Sequence, residues 1–320
     1  MSEVTQRDAF FDRLYELARA DSDIVIVAAD MSAPALDKFR RDMSAQFVNV
    51  GIAEQNAILI ASGLAIAGKK VFAYAIAPFI TLRCLEQIRV ENGIMNIPIT
   101  IVGMGTGLSY DSDGPTHHLI EDIAVLRAFP NVEIDSISDT VMAAAYAELS
   151  CDKKLTNYIR LDKDLYPTIY NPDYDFSQGI AQVESGSENI VIATGPMVHV
   201  ARQIINSPQF EDSDIGLVDV FQIPINESVL LDMIDGAKRV ITLEEHFLPG
   251  GLGSAVCEVL NDNGVSVGVK RLGLDINAGY KHCYKYGGRE IIRSCHGIDK
   301  SSLEQVFAEH FCPQTESVTV

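Results

Sequence analysis

Short runs of β-branched residues alternate along the chain with stretches whose apolar side chains recur at helical spacing. This alternation is typical of α/β proteins with mostly parallel sheets. It predicts helices over Arg7–Ala20, Glu54–Ala67, Met197–Asn206 and Gly253–Asn261. It predicts strands at Ile24–Ala28, Lys70–Tyr74, Ile99–Val102, Val132–Asp135, Asn157–Arg160, Ile190–Ala193, Gly216–Val220, Arg239–Leu243 and Val265–Leu272.

The regular pattern lapses between Asp164 and Glu188, where prolines, tyrosines and small polar residues dominate. Such a turn-rich segment suits a connection between domains. A chain of 320 residues has room for two domains that each bury a core. We therefore predict an α/β protein with two doubly wound domains and mostly parallel sheets, residues 1–180 and 181–320.

Composition narrows the possible functions. The chain is 47% hydrophobic, and it has no apolar run near the ~20 residues that a membrane-spanning helix needs. Its net charge of −19 argues against unaided nucleic-acid binding, which depends on Lys and Arg. The amino terminus lacks a secretory signal pattern, so we expect a cytoplasmic protein. Its six cysteines are far apart and are predicted to be free thiols: Cys84, Cys151, Cys257, Cys283, Cys295 and Cys312.

A carboxylate, Glu54, stands where a β-branched run ends and an apolar helical pattern begins. A helix dipole stabilises an acid in the first turn, so a simple helix-start residue is one interpretation. However, its neighbours are apolar, and a buried acid is costly without a specific partner. A ring nitrogen that must be protonated would be such a partner. These neighbours are Val50, Ile52, Ala53 and Ala57.

A glycine-rich segment, residues 103–118, follows the strand predicted at Ile99–Val102. Loops in this position commonly bind ligands in α/β sheets, although a mobile connection is the alternative. The segment ends in the pair His117 and His118. Adjacent residues rarely point into one site, and no carboxylate has helix-face ligand spacing to them. We therefore predict no metal site here.

Several motifs in a fixed order resemble one enzyme family. Residues 50–56 read Val-Gly-Ile-Ala-Glu-Gln-Asn, residues 77–89 contain Ala-Pro-Phe-Ile-Thr-Leu-Arg, residues 113–118 read Asp-Gly-Pro-Thr-His-His, and residues 121–131 begin Glu-Asp-Ile-Ala-Val-Leu. This order resembles the pyrimidine-binding domain of transketolases, a plan that deoxyxylulose phosphate synthases share. Residues 240–256, with Leu-Glu-Glu-His-Phe, are similar to the carboxy-terminal domain of the same family.

The resemblance implies a thiamine diphosphate cofactor. It makes Glu54 the catalytic acid that hydrogen-bonds N1′ of the aminopyrimidine ring and thereby promotes activation of the cofactor. Phe79 matches the aromatic residue that stacks on this ring, with a plain core phenylalanine as the alternative. We assign Ile52 and Arg83 to the same cofactor-binding set.

The resemblance also implies residues that contact the substrate. His117 matches a catalytic histidine near the substrate oxygens, where it can stabilise charge and move protons. Asp113 matches a residue that bonds a substrate hydroxyl, although a turn-forming aspartate is equally compatible with the sequence. Arg7 matches a phosphate-binding arginine, with a solvated surface arginine as the alternative. Lys163 falls near a second phosphate-binding position, for which Arg160 is the other candidate.

Two features of the family pattern are missing. The family holds the diphosphate and its Mg²⁺ or Ca²⁺ through Gly-Asp-Gly and a distant Asn, but this chain contains no Gly-Asp-Gly. The resemblance therefore implies a separate diphosphate-binding subunit that holds the metal, in an α₂β₂ assembly. Transketolases also have a histidine about twelve positions before the Thr-His pair, where this chain has the Gly103–Gly107 loop. This difference leaves the acceptor sugar open.

The resemblance favours the β subunit of a split transketolase, which transfers a two-carbon ketol unit between sugars. A β subunit of a 2-oxo acid dehydrogenase or decarboxylase is one alternative, against which residues 113–118 argue. A deoxyxylulose phosphate synthase-like enzyme is another, although that family normally keeps all three domains in one chain. A non-catalytic scaffold subunit is the alternative from a different class. The donor sugar, the acceptor sugar and their phosphorylation stay open.

Overall fold

Two mostly parallel β-sheets organise the chain in the computed structural model, which describes residues 4–31, 33–278 and 287–311. The predicted α/β class with two doubly wound units is confirmed. Within the described residues the strands are β1 (Ile24–Ala28), β2 (Phe47–Asn49), β3 (Lys70–Ile76), β4 (Thr100–Met104), β5 (Val132–Ser136), β6 (Thr156–Leu161), β7 (Ile180–Glu184), β8 (Asn189–Ala193), β9 (Ile215–Val220), β10 (Gln222–Ile223), β11 (Arg239–Phe247) and β12 (Gly268–Leu274).

Helices connect most of the strands and pack against the sheets. The four predicted helices are confirmed to within one residue at each end. In the described parts of the chain the α-helices are α1 (Gln6–Ala20), α2 (Pro34–Asp42), α3 (Glu54–Ile66), α4 (Ala77–Ile80), α5 (Leu85–Gln87), α6 (Asp122–Leu126), α7 (Thr140–Leu149), α8 (Pro196–Ile205), α9 (Glu227–Met233), α10 (Leu252–Asp262), α11 (Arg289–Cys295) and α12 (Lys300–Phe311).

The predicted strands are all present, but β11 extends four residues beyond its predicted end at Leu243, and the last strand starts three residues later than predicted. It begins at Gly268 and not at Val265. Gly264 has φ +69°, and the Val265 N–H donates to the Leu260 carbonyl over 2.9 Å. This bond closes the end of α10 and uses the residues that were predicted to start the strand. The sequence pattern also missed β2, β7 and β10 as strands.

The first helix shows how local chemistry sets an element boundary. The Thr5 side chain accepts a hydrogen bond from the Asp8 N–H at 3.1 Å, which satisfies one of the free amides at the start of α1. The apolar face of α1 then buries its large residues completely: Phe10, Phe11 and Leu14. This packing fixes Arg7, in the first turn of α1, beside the first sheet.

Each sheet has one antiparallel edge strand. The first sheet has the order β10-β5-β6-β4-β3-β1-β2, in which β10 is antiparallel to β5. The second has the order β12-β11-β8-β9-β7, in which β7 is antiparallel to β9. The short strand β10 therefore belongs to the first sheet, although it lies in the second half of the chain. The domain division at residue 180 stays a prediction.

A buried carboxylate, Asp219 on β9, joins the two halves of the chain. It accepts hydrogen bonds from Ser138 Oγ at 2.6 Å and from the Tyr170 hydroxyl at 2.7 Å. Burial raises the pKa of Asp219 from its ordinary value of 3.8 to about 7, although the two hydrogen bonds oppose the shift. The folded protein therefore favours the protonated acid.

We predict that Asp219→Asn reduces the pH dependence of stability. Because the folded pKa is raised, the contribution of Asp219 is fully present below 3.8 and is lost as the pH rises through about 7. The wild-type free energy of unfolding should fall by about 2–3 kcal/mol more between pH 5 and pH 8 than that of the variant. Urea unfolding at both pH values measures the difference. An equal change in the free energy of unfolding for the two proteins would contradict the raised pKa of Asp219.

The structure bears on two further sequence predictions. Cys84, Cys151 and Cys257 are free thiols, and Cys295 lies in α11. Cys283 and Cys312 lie outside the described residues. None of the helices in the described ranges is long and apolar enough to cross a membrane. The cytoplasmic location stays a prediction.

Candidate active site

Four of the predicted site residues follow the carboxyl ends of different strands in the first sheet. Glu54 begins α3 shortly after β2, and Phe79 lies in α4, directly after β3. His117 lies in the loop that follows β4, and Lys163 comes two residues after β6. Parallel strands present their carboxyl ends at one edge of the sheet, where α/β proteins commonly bind ligands. The fold thus brings together residues that are far apart in the sequence.

Glu54 is sheltered and has one charged partner. Only 4% of the residue is exposed, although it occupies the first turn of α3. Arg83 Nη1 lies 2.8 Å from Glu54 Oε2, while 44% of the arginine side chain remains exposed. The ion pair therefore extends from a buried carboxylate to the protein surface. The ion pair fixes the orientation of the Glu54 side chain at the edge of the sheet.

The Phe79 ring connects this ion pair to the histidine. The guanidinium carbon of Arg83 lies 4.2 Å from the centroid of the ring. The His117 ring centroid lies 5.0 Å from the Phe79 centroid, with an edge-on angle of 66°. Phe79 is only partly buried, unlike a plain core residue. Glu54, Arg83, Phe79 and His117 therefore form one continuous series of contacts within the chain.

His117 and Asp113 lie on the loop after β4, and both reach solvent. His117 Nδ1 is 3.1 Å from Thr116 Oγ1. The Asp113 N–H donates to the Tyr110 carbonyl at 3.2 Å, which is a turn contact. The exposed Asp113 side chain stays compatible with both of its predicted roles. In the described parts of the chain no group of three or more His, Cys, Asp or Glu residues has a metal-binding arrangement.

The two predicted phosphate-binding cations are each paired with a carboxylate. Arg7 Nε lies 2.9 Å from Asp8 Oδ1, and Lys163 Nζ lies 3.2 Å from Asp111 Oδ1. The Lys163 ammonium also lies 5.3 Å from the centroid of the Tyr110 ring. An incoming anion would therefore compete with a neighbouring acid at either cation.

The structure does not bring Arg160 and Ile52 into this group. Arg160 is 5% exposed, and its guanidinium bonds Asp122 Oδ2 at 2.7 Å and Ser136 Oγ at 2.8 Å. These contacts give it a structural role, which argues against Arg160 as the phosphate-binding residue. Ile52 is 81% exposed, so it neither shields Glu54 nor packs on the site within this chain.

The sequence pattern missed a buried cluster behind the site. Arg289 Nε bonds Glu245 Oε1 at 3.0 Å, and its Nη1 bonds Asp162 and Asp164 at 3.0 and 2.9 Å. Glu245 also accepts the Leu108 N–H at 2.9 Å. The second half of the chain thereby holds both the loop after β4 and the segment that carries Lys163. Two adjacent acids in an otherwise apolar strand were the available signal, because buried acids need partners.

The charges in this cluster stabilise each other. Burial alone would raise the pKa of Glu245, but the charges of Arg289 and Arg293 outweigh this effect and lower the pKa to about 2. Arg293 Nε lies 2.6 Å from Glu245 Oε1. Glu245 therefore stays ionised and can accept the Leu108 N–H throughout the physiological pH range.

Comparisons with known proteins identify the family of the chain. Residues 2–168 match the family model "Transketolase, pyrimidine binding domain", and residues 179–287 match "Transketolase, C-terminal domain". The chain is 35% identical over 302 residues to an apulose-4-phosphate transketolase subunit of Phocaeicola vulgatus, and the match covers 93% of this chain and 94% of that protein. It is 32% identical over 295 residues to the corresponding subunit of Actinobacillus succinogenes, covering 91% and 94%.

Solved structures show the same fold. A chain described as "Split gene transketolase, inactive beta4 tetramer" is similar with a TM-score of 0.85 and 26% identity, covering 98% of this chain and 100% of that one. Transketolase from Campylobacter jejuni is similar with a TM-score of 0.79 and 16% identity. The match covers 96% of this chain but only 46% of that longer protein, and it shows the fold alone.

Proposed function

Because the chain belongs to the transketolase family, we propose that it is the coenzyme-activating subunit of a split transketolase. It would transfer a two-carbon ketol unit between sugars together with a separate subunit. The observation that carries this proposal is the contact series of Glu54, Arg83, Phe79 and His117. The match over nearly the whole chain to relatives named as transketolase subunits supports it.

The residues present fit the pyrimidine end of thiamine diphosphate. When bound, this cofactor supplies the nucleophilic carbon that a ketol transfer requires. Glu54 is a sheltered carboxylate, and it would hold a proton at the N1′ atom of the aminopyrimidine. Phe79 offers an aromatic surface, one face of which Arg83 covers. Cofactor stacking therefore requires the other face of Phe79 or a movement of Arg83.

We propose that the partner subunit holds the diphosphate and its Mg²⁺ or Ca²⁺. The absence of Gly-Asp-Gly from the sequence supports this division. A protein interface also requires exposed apolar surface. Such surface is present on or near α3, the helix that begins at Glu54, and on the segment before β4: Ile52, Leu59, Ile66, Ile94 and Met95. An α₂β₂ assembly would cover this surface.

Substrate would bind between the loop after β4 and the start of α1. His117 would exchange a proton at the substrate oxygens, while Asp113 would bond a hydroxyl. Arg7 and Lys163 would bind a terminal phosphate in exchange for their present contacts with Asp8 and Asp111. The domain division at residue 180 would place these residues in the pyrimidine-binding domain.

A reconstitution experiment tests this function. We expect no ketol transfer by the purified chain alone, and transfer when it is mixed with its diphosphate-binding subunit, thiamine diphosphate and Mg²⁺. The reason is that this chain provides only the pyrimidine end of the cofactor site. Transfer by the chain alone would contradict the division between subunits. Turnover of pyruvate with an artificial electron acceptor would favour a 2-oxo acid enzyme instead, and cofactor binding without turnover would favour a scaffold.

A further inference from the structure

We propose that Tyr110 is a specificity-determining residue whose hydroxyl hydrogen-bonds the phosphate at the far end of the sugar substrate. This inference rests on the proposed function and assigns a role that the sequence pattern did not reveal. Tyr110 lies on the loop after β4 and is partly exposed. Its neighbours include the predicted catalytic histidine and both predicted phosphate-binding cations.

The Tyr110 ring takes the space of a side chain at position 105. Gly105 has φ +88°, a conformation that favours glycine. A methyl group on Gly105 would lie 1.8 Å from Cε2 and 2.3 Å from Cδ2 of the Tyr110 ring. These distances exclude every other residue at position 105 while the tyrosine keeps its place.

The Tyr110 ring also lies between the predicted catalytic His117 and the predicted phosphate-binding Lys163. The His117 ring centroid is 5.8 Å from the Tyr110 centroid, at an edge-on angle of 60°. Lys163 Nζ lies 5.3 Å from the Tyr110 centroid. A sugar whose carbonyl reacts beside His117 would therefore pass along Tyr110 before its far end reaches Lys163.

The charges around the phenol indicate which group it would bind. Burial raises the pKa of Tyr110, whereas the nearby charge of Arg7 opposes the shift. The phenol thus stays a neutral hydrogen-bond donor at physiological pH. A neutral donor beside Lys163, with Arg7 nearby, suits a phosphate oxygen, because the cations supply positive charge and the hydroxyl adds a hydrogen bond. Loss of the hydroxyl should weaken phosphate binding and leave the chemistry at the carbonyl intact.

The test uses the reconstituted two-subunit enzyme with hydroxypyruvate as the common ketol donor. Two acceptors, D-glyceraldehyde 3-phosphate and D-glyceraldehyde, differ only in the phosphate. We expect Tyr110→Phe to lower kcat/KM for the phosphorylated acceptor by about tenfold, mainly through KM, since a hydrogen bond to a charged group is lost. The value for D-glyceraldehyde should stay within about twofold. Tyr174→Phe, a partly exposed tyrosine on the connection between the sheets, is the matched control and should change neither value.

A second variant tests the packing between positions 105 and 110. Gly105→Ala places a methyl group where the Tyr110 ring lies, so it should displace the ring and also lower kcat/KM for the phosphorylated acceptor. Equal losses on both acceptors, or a fall in kcat without a change in KM, would overturn the assignment, because Tyr110 would then act on His117 and not on the phosphate. Absence of transfer by the wild-type pair would instead overturn the proposed function itself.

Discussion

Replacement of Glu54 by alanine is expected to lower ketol transfer on the order of a thousandfold in the reconstituted enzyme. The residue is 4% exposed and forms an ion pair with Arg83. If it holds the proton at the cofactor ring, alanine removes both the proton and the hydrogen bond that activates the cofactor. The measurement is kcat with saturating thiamine diphosphate, so that weaker cofactor binding does not account for the loss.

Two further variants identify the cause of this loss. Glu54→Gln keeps the shape of the side chain but cannot exchange a proton with the ring nitrogen, so it should be impaired almost as strongly as Glu54→Ala. Glu309→Ala removes an exposed acid on α12 and should leave the activity unchanged. A thermal melt of each variant checks that the fold is intact. Ordinary turnover by Glu54→Ala would contradict the proposed mechanism.

The central strands could be predicted from the sequence because both of their faces are buried. All five residues of β1 are buried apolar residues, and β8 and β4 are also buried throughout. Such continuous apolar runs identify a parallel strand without knowledge of its neighbours. In contrast, β10 has two residues and exists because it pairs with β5, which is distant in the sequence. Its assignment requires the tertiary structure.

Local pattern singled out Glu54, which begins α3, whereas Phe79 and His117 were selected by motifs that resemble the transketolase family. The structure connects the three through Arg83. The choice between Arg160 and Lys163 could not be made in this way. The two residues are close in sequence, but Arg160 lies within β6 and pairs with a buried acid, whereas Lys163 lies beyond the strand end.

Contacts between distant segments were beyond the reach of sequence patterns. The packing of Tyr110 on Gly105 depends on how the loop after β4 folds back on itself. The bonds of Arg289 to Asp162 and Glu245 join residues that are more than forty positions apart. Local periodicity carries no information about such pairs. They are set by tertiary packing, which also gives the site its final shape.

Replacement of Arg289 by methionine is expected to lower the free energy of unfolding by about 3–5 kcal/mol. Arg289 is 8% exposed, and its loss would leave Glu245 and Asp162 buried with less compensating charge. Urea unfolding at pH 7 measures the effect. Arg19→Met is the matched control, because its bridge to Glu16 is largely exposed and should contribute at most about 1 kcal/mol. Equal midpoints for the two variants would contradict the structural role of Arg289.

The same replacement should also affect the candidate site, since Glu245 accepts the Leu108 N–H from the loop that carries Tyr110 and His117. A Glu245 side chain without Arg289 would bind protons more readily and would hold this loop less firmly. We therefore expect Arg289→Met to raise KM for the acceptor sugar even where the variant is fully folded. The double variant Arg289→Met with Glu245→Gln removes the unpaired charge and should recover part of the lost stability. It should not recover KM, because the neutral amide is a weaker acceptor for the Leu108 N–H than the carboxylate it replaces.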